Sequence, residues 1–550
     1  MKFKLNEPVP DRPENLRYRI AVIGDTHISR GSEFFKPDVF RRGVAEVNRL
    51  YNVDFIVHLG DLTQNGVLED YEYAIDLLNS FREDRPIYFI LGNHDARSVG
   101  DLLFEEMISE RSFEIETPDL YCIGLDTSKP DRDGGSMGRR TIRWLRGRLL
   151  KNIEKIKIVV FHHHLLPIPF TGRERSSITD AGDVLKVMLE TNVDLVINGH
   201  RHITNLYQIN NGGGKLIHYC NGTFSAKKTR YNEPHSYSVV DIFNDHLDIQ
   251  TRFIEGKRPS ANYTLKKLER NSDFLFREKD LIGRIIHISD THFSRNFKTQ
   301  PMFKVYSEAV DLINKIQPDV VLHTGDVTNN SMPEEFIVAQ EMLEKIHTPI
   351  LTVPGNTDSY QIGETLFEES FGTRDPNGSF LTPNGLHLDV FGLNSSLMEV
   401  KEGEIGRRKM DSLLKSIEKN VNQIKEKKLA PNHVYIVFFH HRVVPCPRTL
   451  HRGDLEDSGD VLRGIVDSPI DLVLAGHDHV TFTVQIENTI FSSVAALSSE
   501  KLRTLRGNAF GIINFYKDST VLVEEFNLAD HTKRVMGQFY LREDAMTTFS

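Results

Sequence analysis

The chain has 550 residues, 39% of them hydrophobic, so it is too long for one ordinary core and has enough apolar material for two domains or more. Its net charge of −10 excludes a general basic field for binding nucleic acid or an anionic membrane. Residues 1–17 lack an apolar run of signal-peptide length, and no run of about 18 apolar residues occurs anywhere. We therefore predict a cytoplasmic protein with no membrane partner. Its three separated cysteines predict buried free thiols.

Taken in chain order, the predicted elements alternate between strands and helices. Apolar runs such as "RIAVIG", "VDFIVHLG", "PIYFILG", "KIVVFH" and "VDLVING" predict strands, and "DVFRRGVAEVNRL" and "YEYAIDLLNSF" predict helices. The segments "KLIHYCNG", "HSYSVVDIF" and "LDIQTRFI" then predict further strands. We expect these later strands to form a second, more antiparallel sheet, which gives an α/β fold of four αββα layers.

The same pattern occurs a second time in the chain. "RIAVIGDTHISRG" at 19–31 returns as "RIIHISDTHFSRN" at 284–296, and "VDLVINGHRH" returns as "IDLVLAGHDH". Spacing is also preserved, because Asp25 and Asp61 are 36 residues apart, as are Asp290 and Asp326. A repeat of this length predicts a duplicated domain and not a solenoid. We place a leader at 1–17, unit 1 at 18–255, a polar linker at 256–282 and unit 2 at 283–548.

Polar residues cluster where the predicted strands end. In unit 1 these clusters are "GDTH", "GDLTQNG", "GNHD", "HHH" and "GHRH". The carboxyl ends of strands form the ligand crevice of open α/β sheets, so the clusters are expected to converge. They offer carboxylate, amide and imidazole groups without thiolate, a set that suits Zn, Mn or Fe.

This ordered set of motifs resembles the calcineurin-like metallophosphoesterases, in particular the class III cyclic-nucleotide phosphodiesterases and the bacterial glycerophosphodiesterases. The resemblance extends over nearly all of each unit, and it implies tandem metallophosphoesterase domains with two divalent or trivalent metal ions (Mn, Fe or Zn) each. The implied ligands in unit 1 are Asp25, His27, Asp61, Asn93, His162, His200 and His202. Those in unit 2 are Asp290, His292, Asp326, Asn356, His440, His477 and His479. Asp61 and Asp326 are the implied bridging ligands.

The histidine runs leave two candidates in each unit, His162 or His163 and His440 or His441. The resemblance favours the first of each pair, the histidine that ends the strand. The others, together with His164, are expected to line or pack around the site.

The two units differ at the residue expected to be the general acid. The resemblance assigns proton donation to His94, and Asp95 is expected to hold the His94 ring. An imidazole titrates near neutral pH and suits this task. Unit 2 has "GNTD" in place of "GNHD", and Thr357 has no proton to give at neutral pH. We therefore expect unit 2 to hydrolyse unactivated diesters more slowly than unit 1. A second difference, Arg201 against Asp478, is expected to favour anionic substrates at the rim of site 1.

Several other residues have structural interpretations. His58 and His323 are expected to be buried imidazoles, and Trp144 a core residue. Four acidic residues at two helix starts are expected to cap the helix or face solvent, namely Asp180, Asp183, Asp457 and Asp460.

The sequence thus predicts a metal-dependent hydrolase of small phosphodiesters, with cyclic nucleotides or glycerophosphodiesters as candidate substrates. A nuclease remains an alternative, although the acidic composition disfavours nucleic acid as a partner. Unit 2 acting as a metal-holding regulatory scaffold is a second alternative, and a phosphomonoesterase or protein phosphatase is a third. Duplication also predicts that the two units pack as an intramolecular pseudo-dimer.

Overall fold

The protein is described by a computed structural model that covers residues 12–173, 177–254, 261–266, 280–426, 432–449, 455–503 and 506–542. Most of the predicted leader, parts of the predicted linker and the last residues of unit 2 lie outside the described residues.

Unit 1 contains most of the predicted strands and helices at the expected places. Its strands are β1 (Leu16–Ile23), β2 (Phe55–His58), β3 (Ile87–Phe89), β4 (Phe113–Glu116), β5 (Leu120–Leu125), β6 (Ile156–Phe161), β7 (Leu195–Asn198), β8 (Asn205–Asn210), β9 (Lys215–Cys220), β10 (Ser236–Phe243) and β11 (His246–Phe253). A further strand, β12 (Ala261–Lys266), follows in the predicted linker. Its helices are α1 (Pro37–Arg49), α2 (Leu68–Leu78), α3 (Gly100–Met107), α4 (Arg139–Lys151) and α5 (Ala181–Glu190).

Unit 2 repeats this order. Its strands are β13 (Leu281–Ile288), β14 (Val320–His323), β15 (Ile350–Thr352), β16 (Asn377–Leu381), β17 (His387–Gly392), β18 (His433–Phe438), β19 (Leu472–Ala475), β20 (Phe482–Ile486), β21 (Thr489–Ser493), β22 (Ala509–Tyr516), β23 (Thr520–Asn527) and β24 (Lys533–Tyr540). Its helices are α6 (Pro301–Ile316), α7 (Pro333–Leu343), α8 (Gly363–Phe371), α9 (Arg407–Glu426) and α10 (Ser458–Val466).

The central strands are buried on both faces, which explains their continuous apolar runs. In β1, Ile20 and Val22 face the core between the two sheets of unit 1, whereas Ala21 and Ile23 face the core beneath α1 and α2. This alternation follows from the period of two in a strand. Each unit therefore has the expected layer order of helices, sheet, sheet and helices.

The later strands do not form the separate antiparallel sheet that the sequence analysis expected. β10 pairs antiparallel with β1, and β11 and β12 extend that same sheet in the order β12-β11-β10-β1-β2-β3. β8 and β9 instead join the sheet of β4 to β7. Both sheets are consequently mixed. The predicted linker also contributes structure, because β12 lies within residues 256–282 and pairs with β11.

The two units share one sheet and one hydrophobic core. β8 of unit 1 pairs antiparallel with β20 of unit 2, with Ile209 opposite Ile486, and a twelve-stranded sheet results. One apolar cluster includes Val184 of α5 and Val461 of α10. The halves are therefore packed against each other through buried apolar side chains as well as backbone pairing.

The contacts at this interface are reciprocal. The backbone N–H of Arg448 donates to Asp183 at 2.8 Å, and the N–H of Phe170 donates to Asp460 at 2.8 Å. The expectation that these aspartates cap helices or face solvent was wrong, because each carboxylate binds a loop of the other unit.

The other aspartate at each helix start also has a different partner from the one expected. Asp180 accepts hydrogen bonds from the N–H groups of Met137 and Gly138, and Asp457 accepts from the N–H of Gly406. These carboxylates therefore fix the loop that leads into the neighbouring helix, α4 or α9.

Of the remaining structural expectations, the one for the cysteines is confirmed and the one for Trp144 is wrong. All three cysteines are buried free thiols, as predicted. The prediction for Trp144 was wrong, since its side chain is 43% exposed on α4 and lies under the guanidinium of Arg148. Among the helices that the described residues form, none combines the length and the apolar character needed to span a membrane.

Candidate metal centres and active site

The predicted ligands lie on loops directly after the strands, and many have left-handed backbone conformations. Asp25 and His27 follow β1 with φ of 50° each, and Asp61 follows β2 with φ of 51°. The two histidines of the "GHRH" motif, after β7, also have positive φ. Such conformations are costly for residues other than glycine and are concentrated at functional sites.

The glycines of these motifs have two different roles. Gly60, before Asp61, has φ of 88°, a left-handed conformation that glycine adopts without strain. Gly199, before His200, is required for another reason: a Cβ there would lie 2.6 Å from a carboxylate oxygen of Asp25. At Gly199 the close approach of the Asp25 carboxylate therefore excludes a side chain.

The first group of donors in unit 1 comprises Asp25, His27, Asp61 and His202, whose ligand atoms all lie within 4.8 Å of one another. The Nε2 atoms of His27 and His202 are 3.0 Å apart, and His202 Nε2 is 3.4 Å from Asp25 Oδ1. His27 Nε2 is 3.5 Å from Asp61 Oδ2. Asp25, His27 and Asp61 are buried, and the side chain of His202 is 11% exposed.

The second group comprises Asp61, His162 and His200, with Asn93 beside them. His162 Nε2 is 3.4 Å from Asp61 Oδ2 and 3.1 Å from Asn93 Oδ1. His200 Nδ1 is 3.0 Å from the same Asn93 oxygen. Asp61 thus belongs to both groups, the position expected of a bridging ligand.

The hydrogen bonds around these groups direct lone pairs inward. His27 Nδ1 donates to Gln64 Oε1 at 2.8 Å, and His202 Nδ1 donates to the carbonyl of Lys228. In the neutral rings, both Nε2 atoms therefore carry lone pairs, although they face each other at 3.0 Å. Acceptors that converge in this way fit a bound cation, and nitrogen with oxygen donors suits Zn, Mn or Fe.

Hydrogen bonds also distinguish the two candidate ligands of unit 1, His162 and His163. His162 Nδ1 donates to the carbonyl of Leu59 at 2.8 Å, which leaves its Nε2 lone pair toward the donors. Both nitrogens of His163 are occupied by the protein, at 2.8 Å from Thr127 Oγ1 and 3.1 Å from the carbonyl of Asp133. This arrangement favours His162 as the ligand.

In unit 2, His440 has the inward orientation of His162. Its Nδ1 donates to the carbonyl of Thr324 at 2.8 Å, whereas His441 lies 2.9 Å from Ser395 Oγ and 3.0 Å from the carbonyl of Lys401. His440 is therefore the favoured ligand of this pair.

Unit 2 brings its predicted ligands together in the same arrangement. His479 Nε2 is 3.2 Å from Asp290 Oδ1 and 3.3 Å from His292 Nε2. His440 Nε2 is 3.3 Å from Asp326 Oδ1. His477 Nδ1 is 2.9 Å from the side-chain oxygen of Asn356. All fourteen predicted ligands therefore lie in one of two compact clusters.

The clusters differ at one supporting residue. Asn329 takes the place of Gln64, and its side chain is exposed. Among the described residues, the buried Nδ1 of His292 has no hydrogen-bond partner. A ligating histidine usually donates this N–H to a protein acceptor, which fixes the ring. His292 lacks that support.

The surroundings of His94 correct one expectation. Its Nδ1 donates to the backbone carbonyl of Gln64 at 2.8 Å, and its Nε2 accepts from Arg97 at 3.1 Å. The motif "GNHD" led us to expect that Asp95 holds this ring. That expectation was wrong, because the ring is held by a backbone carbonyl that no motif identifies.

Asp95 instead binds the loop that carries Asp61. Its carboxylate accepts from the N–H groups of Leu62, Thr63 and Gly92 at 2.7–3.1 Å. Burial raises the pKa of Asp95 to about 7, and the carboxylate of Asp61 adds to this rise. Asp95 therefore positions a ligand loop and does not touch the reacting atoms.

Asp358 has the same role in unit 2, where it accepts from the N–H groups of Val327, Thr328 and Gly355. Thr357 replaces the His94 ring by a hydroxyl that donates to the carbonyl of Thr328 at 2.7 Å. The loop is thus preserved while the imidazole is lost.

An open cavity of about 410 Å³ lies over the donors of unit 1. Basic side chains dominate the charge of its wall: the residues lining it beyond the donors and His94 include Phe34, Arg97, Asp133, Arg201, Lys228 and Arg230. The volume is of the size that accommodates a small organic ligand.

The expected contrast between Arg201 and Asp478 takes a different form. Arg201 lines the cavity but is only 5% exposed, and it donates to the carbonyl of Thr171 at 3.0 Å. Asp478 is fully buried and forms ion pairs with Arg442 and Arg503. The expectation of an anion at the rim of site 2 was therefore wrong, since its charge is neutralised inside the protein.

The two strand histidines before the "GD" motifs are buried, as predicted. His58 and His323 each have Nε2 3.1 Å from a threonine hydroxyl, Thr26 or Thr291. Burial lowers the pKa of each imidazole to about 3, so both rings are neutral.

Comparison with known proteins identifies the family of this chain. The sequence pattern of the family described as calcineurin-like phosphoesterase matches residues 18–204 and 283–481, and the chain belongs to this family. Members are phosphoester hydrolases that depend on metals, and this chain is an enzyme of that class.

Three relatives indicate the range of chemistry in the family. A probable cyclic nucleotide phosphodiesterase of Xenorhabdus bovienii is 23% identical over 35% of this chain and 82% of its own length. A probable glycerophosphodiester phosphodiesterase of Arcobacter nitrofigilis is 25% identical over 46% of this chain and 94% of its own length. The DNA double-strand break repair protein Mre11 of Methanosarcina acetivorans is 28% identical over 44% of this chain and 39% of its own length.

Proposed function

We propose that the protein is a phosphodiesterase that uses two metal ions per unit and acts on small phosphodiesters. The observation that carries this proposal is the convergence of carboxylate, amide and imidazole donors in each unit, with Asp61 or Asp326 among them. Cyclic nucleotides and glycerophosphodiesters are the candidate substrates, by analogy with the named relatives.

We assign the ligands of unit 1 to two positions. Asp25, His27 and His202 would hold one ion and Asn93, His162 and His200 the other, with Asp61 shared. In unit 2, one ion would be held by Asp290, His292 and His479. The other would be held by Asn356, His440 and His477, with Asp326 shared. Bound Mn, Fe or Zn supplies water activation and neutralises charge on the phosphoryl oxygens.

His94 is proposed as the general acid of unit 1. Its Nδ1–H to the carbonyl of Gln64 fixes the ring and directs Nε2 toward the cavity. Proton donation from Nε2 requires Arg97 to move away, because Arg97 donates to that nitrogen. Asp133, whose carboxylate is 3.5 Å from Arg97, is placed to hold the arginine.

Unit 2 is proposed to be the slower hydrolase, or a metal-holding scaffold that supports unit 1. Two observations favour this asymmetry. The Thr357 hydroxyl is bound to a backbone carbonyl, and His292 lacks the acceptor that Gln64 gives His27.

We also propose an organisation of two domains, 18–255 and 283–548, joined by the segment 256–282 and packed as an intramolecular pseudo-dimer. The pairing of β8 with β20 and the reciprocal bonds of Asp183 and Asp460 support this proposal. Since the units share a core, activity is best tested in the intact chain.

The test is hydrolysis by manganese-loaded protein of a panel containing a cyclic nucleotide, a glycerophosphodiester, a phosphomonoester and duplex DNA. We expect turnover of the small diesters that falls in Asp61→Asn. Turnover of DNA alone would replace the proposal by a nuclease function, and turnover of the monoester alone by a phosphomonoesterase.

A further inference from the structure

Two aromatic side chains stack on each other at the surface of unit 1. The ring centroids of Phe170 and Tyr231 are 4.2 Å apart and the ring planes differ by 15°. Phe170 is 43% exposed and Tyr231 is 71% exposed. Exposed aromatic surface of this kind is characteristic of binding sites, because burying it on a ligand is favourable.

The two aromatic residues are next in the chain to residues on or bonded to the wall of the unit 1 cavity. Tyr231 follows Arg230, which lines the cavity, and Phe170 precedes Thr171, whose carbonyl accepts from the cavity-lining Arg201. Arg230 is partly buried, and none of the described carboxylates pairs with it. A cation that lines the cavity and an exposed aromatic pair are therefore joined by adjacent positions of the chain.

The backbone at both rings is held in a costly conformation. Phe170 has φ of 62° and Tyr231 has φ of 48°. For bulky residues such values persist only where surrounding contacts impose them. At Phe170 the contact comes from unit 2, because its N–H donates to Asp460 at 2.8 Å.

Unit 2 provides an internal comparison. Arg448 occupies the place of Phe170, with φ of 64° and an N–H that donates to Asp183 at 2.8 Å. The loop conformation therefore does not require an aromatic residue. The arginine that matches Arg230, Arg503, pairs with Asp478 at 2.9 Å. Unit 2 thus lacks the aromatic pair, and its counterpart of Arg230 is neutralised by Asp478.

We propose that the Phe170–Tyr231 pair is a stacking platform for the base of a nucleotide substrate, with Arg230 and Lys228 facing its phosphate. The outer face of Tyr231 receives the base, and the diester enters the cavity. This inference rests on the proposed function and narrows it, because a glycerol substituent has no aromatic ring to stack.

The test measures binding by isothermal titration calorimetry to intact manganese-loaded protein. Adenosine 5′-monophosphate is compared with ribose 5-phosphate, which has the same phosphate and sugar without the base. Since stacking of one base contributes about 10-fold in affinity, we expect the nucleotide to bind about 10-fold more tightly. In Tyr231→Ala the two ligands should bind with equal affinity, whereas Tyr231→Phe should keep the preference for the nucleotide.

Two further variants sharpen the result. Phe170→Arg introduces the residue that the equivalent loop of unit 2 already accommodates, and it should reduce the ratio. Trp144→Ala removes another exposed aromatic residue, on α4, and should leave the ratio unchanged. Equal affinity for the two ligands, or a ratio that survives Tyr231→Ala, would overturn the platform.

Hydrolysis rates distinguish a failure of the stacking platform from a failure of the proposed function. The nitrophenyl esters of thymidine 5′-monophosphate and of ethyl phosphate have the same leaving group. Hydrolysis of both esters with equal kcat/KM would support the phosphodiesterase function and contradict the stacking platform. Hydrolysis of neither ester would contradict the phosphodiesterase function, and the ratio of the two affinities from calorimetry would still test the platform.

Discussion

Gln64 accepts a hydrogen bond from Nδ1 of His27 at 2.8 Å and is itself 8% exposed beside the donors of unit 1. In unit 2 the corresponding Asn329 is shorter by one methylene and exposed, and Nδ1 of His292 lies buried without a partner in the described structure. The donor clusters of the two units therefore have different supporting hydrogen bonds.

This difference predicts unequal metal affinity. Loss of such a supporting hydrogen bond typically costs about 10- to 100-fold in affinity. We expect Gln64→Asn to weaken manganese binding to unit 1 by about that factor, measured by calorimetry in the Asp326→Asn background. Gln64→Glu, which retains an acceptor, should preserve binding. Unchanged affinity in Gln64→Asn would mean that His27 needs no such support.

Leaving-group dependence tests the difference between His94 and Thr357. General acid catalysis contributes about 10²- to 10⁴-fold, and less when the leaving group is acidic. We expect Asp61→Asn to remove more activity than Asp326→Asn on an alkyl diester, and the gap to narrow on a nitrophenyl diester. Steady-state rates on both substrates give the comparison, and equal losses on the alkyl diester would exclude the asymmetry.

Close packing at the unit interface predicts that Gly182 does not tolerate a side chain. A Cβ at this position would lie 1.9 Å from the carbonyl oxygen of Cys446 in the other unit. We expect Gly182→Ala to destabilise the protein by about 1–3 kcal/mol in urea unfolding. The control is Gly147→Ala, on α4, where a Cβ meets no atom within 4 Å. A Gly182→Ala variant as stable as wild type would show that the units can separate at this contact.

Buried histidine outside the metal centres predicts acid sensitivity. Burial lowers the pKa of His218 to about 3. Between that value and the unfolded pKa of about 6.5, the unfolded state binds a proton that the folded state does not, so stability falls as the pH falls. We expect urea unfolding from pH 6.5 to 4.5 to show a shallower slope in His218→Gln, by up to about 1.4 kcal/mol per pH unit.

The exposed His347 provides the control for this measurement. His347→Gln should retain the wild-type slope. A slope in His218→Gln that equals wild type would assign the acid sensitivity to other groups.

Much of the fold and nearly all of the donor set could be predicted from the sequence. The strands are buried on two faces, which gives distinctive apolar runs, and the motifs occur at their ends. Supporting contacts could not be predicted in this way. The ring of His94 is held by a backbone carbonyl, and Asp95 binds three backbone N–H groups. Every residue type except proline has the same backbone donor and acceptor, so no sequence motif identifies these contacts.

The partners of Asp183 and Asp460 lie 265 and 290 residues away, in the other unit. No local signal distinguishes such a contact from a helix cap. Gln64 was detectable in principle, because the repeat aligns it with Asn329, yet its role required the position of the His27 ring.

The most direct test of the metal-dependent hydrolase is the double variant Asp61→Asn/Asp326→Asn, which removes the shared carboxylate from both centres. Metal content after equilibration with manganese and gel filtration is measured together with the rate of bis(p-nitrophenyl) phosphate hydrolysis. We predict that the wild-type chain retains manganese and hydrolyses the diester, and that the double variant loses both properties while remaining folded. A folded double variant with wild-type metal content and rate would contradict the account.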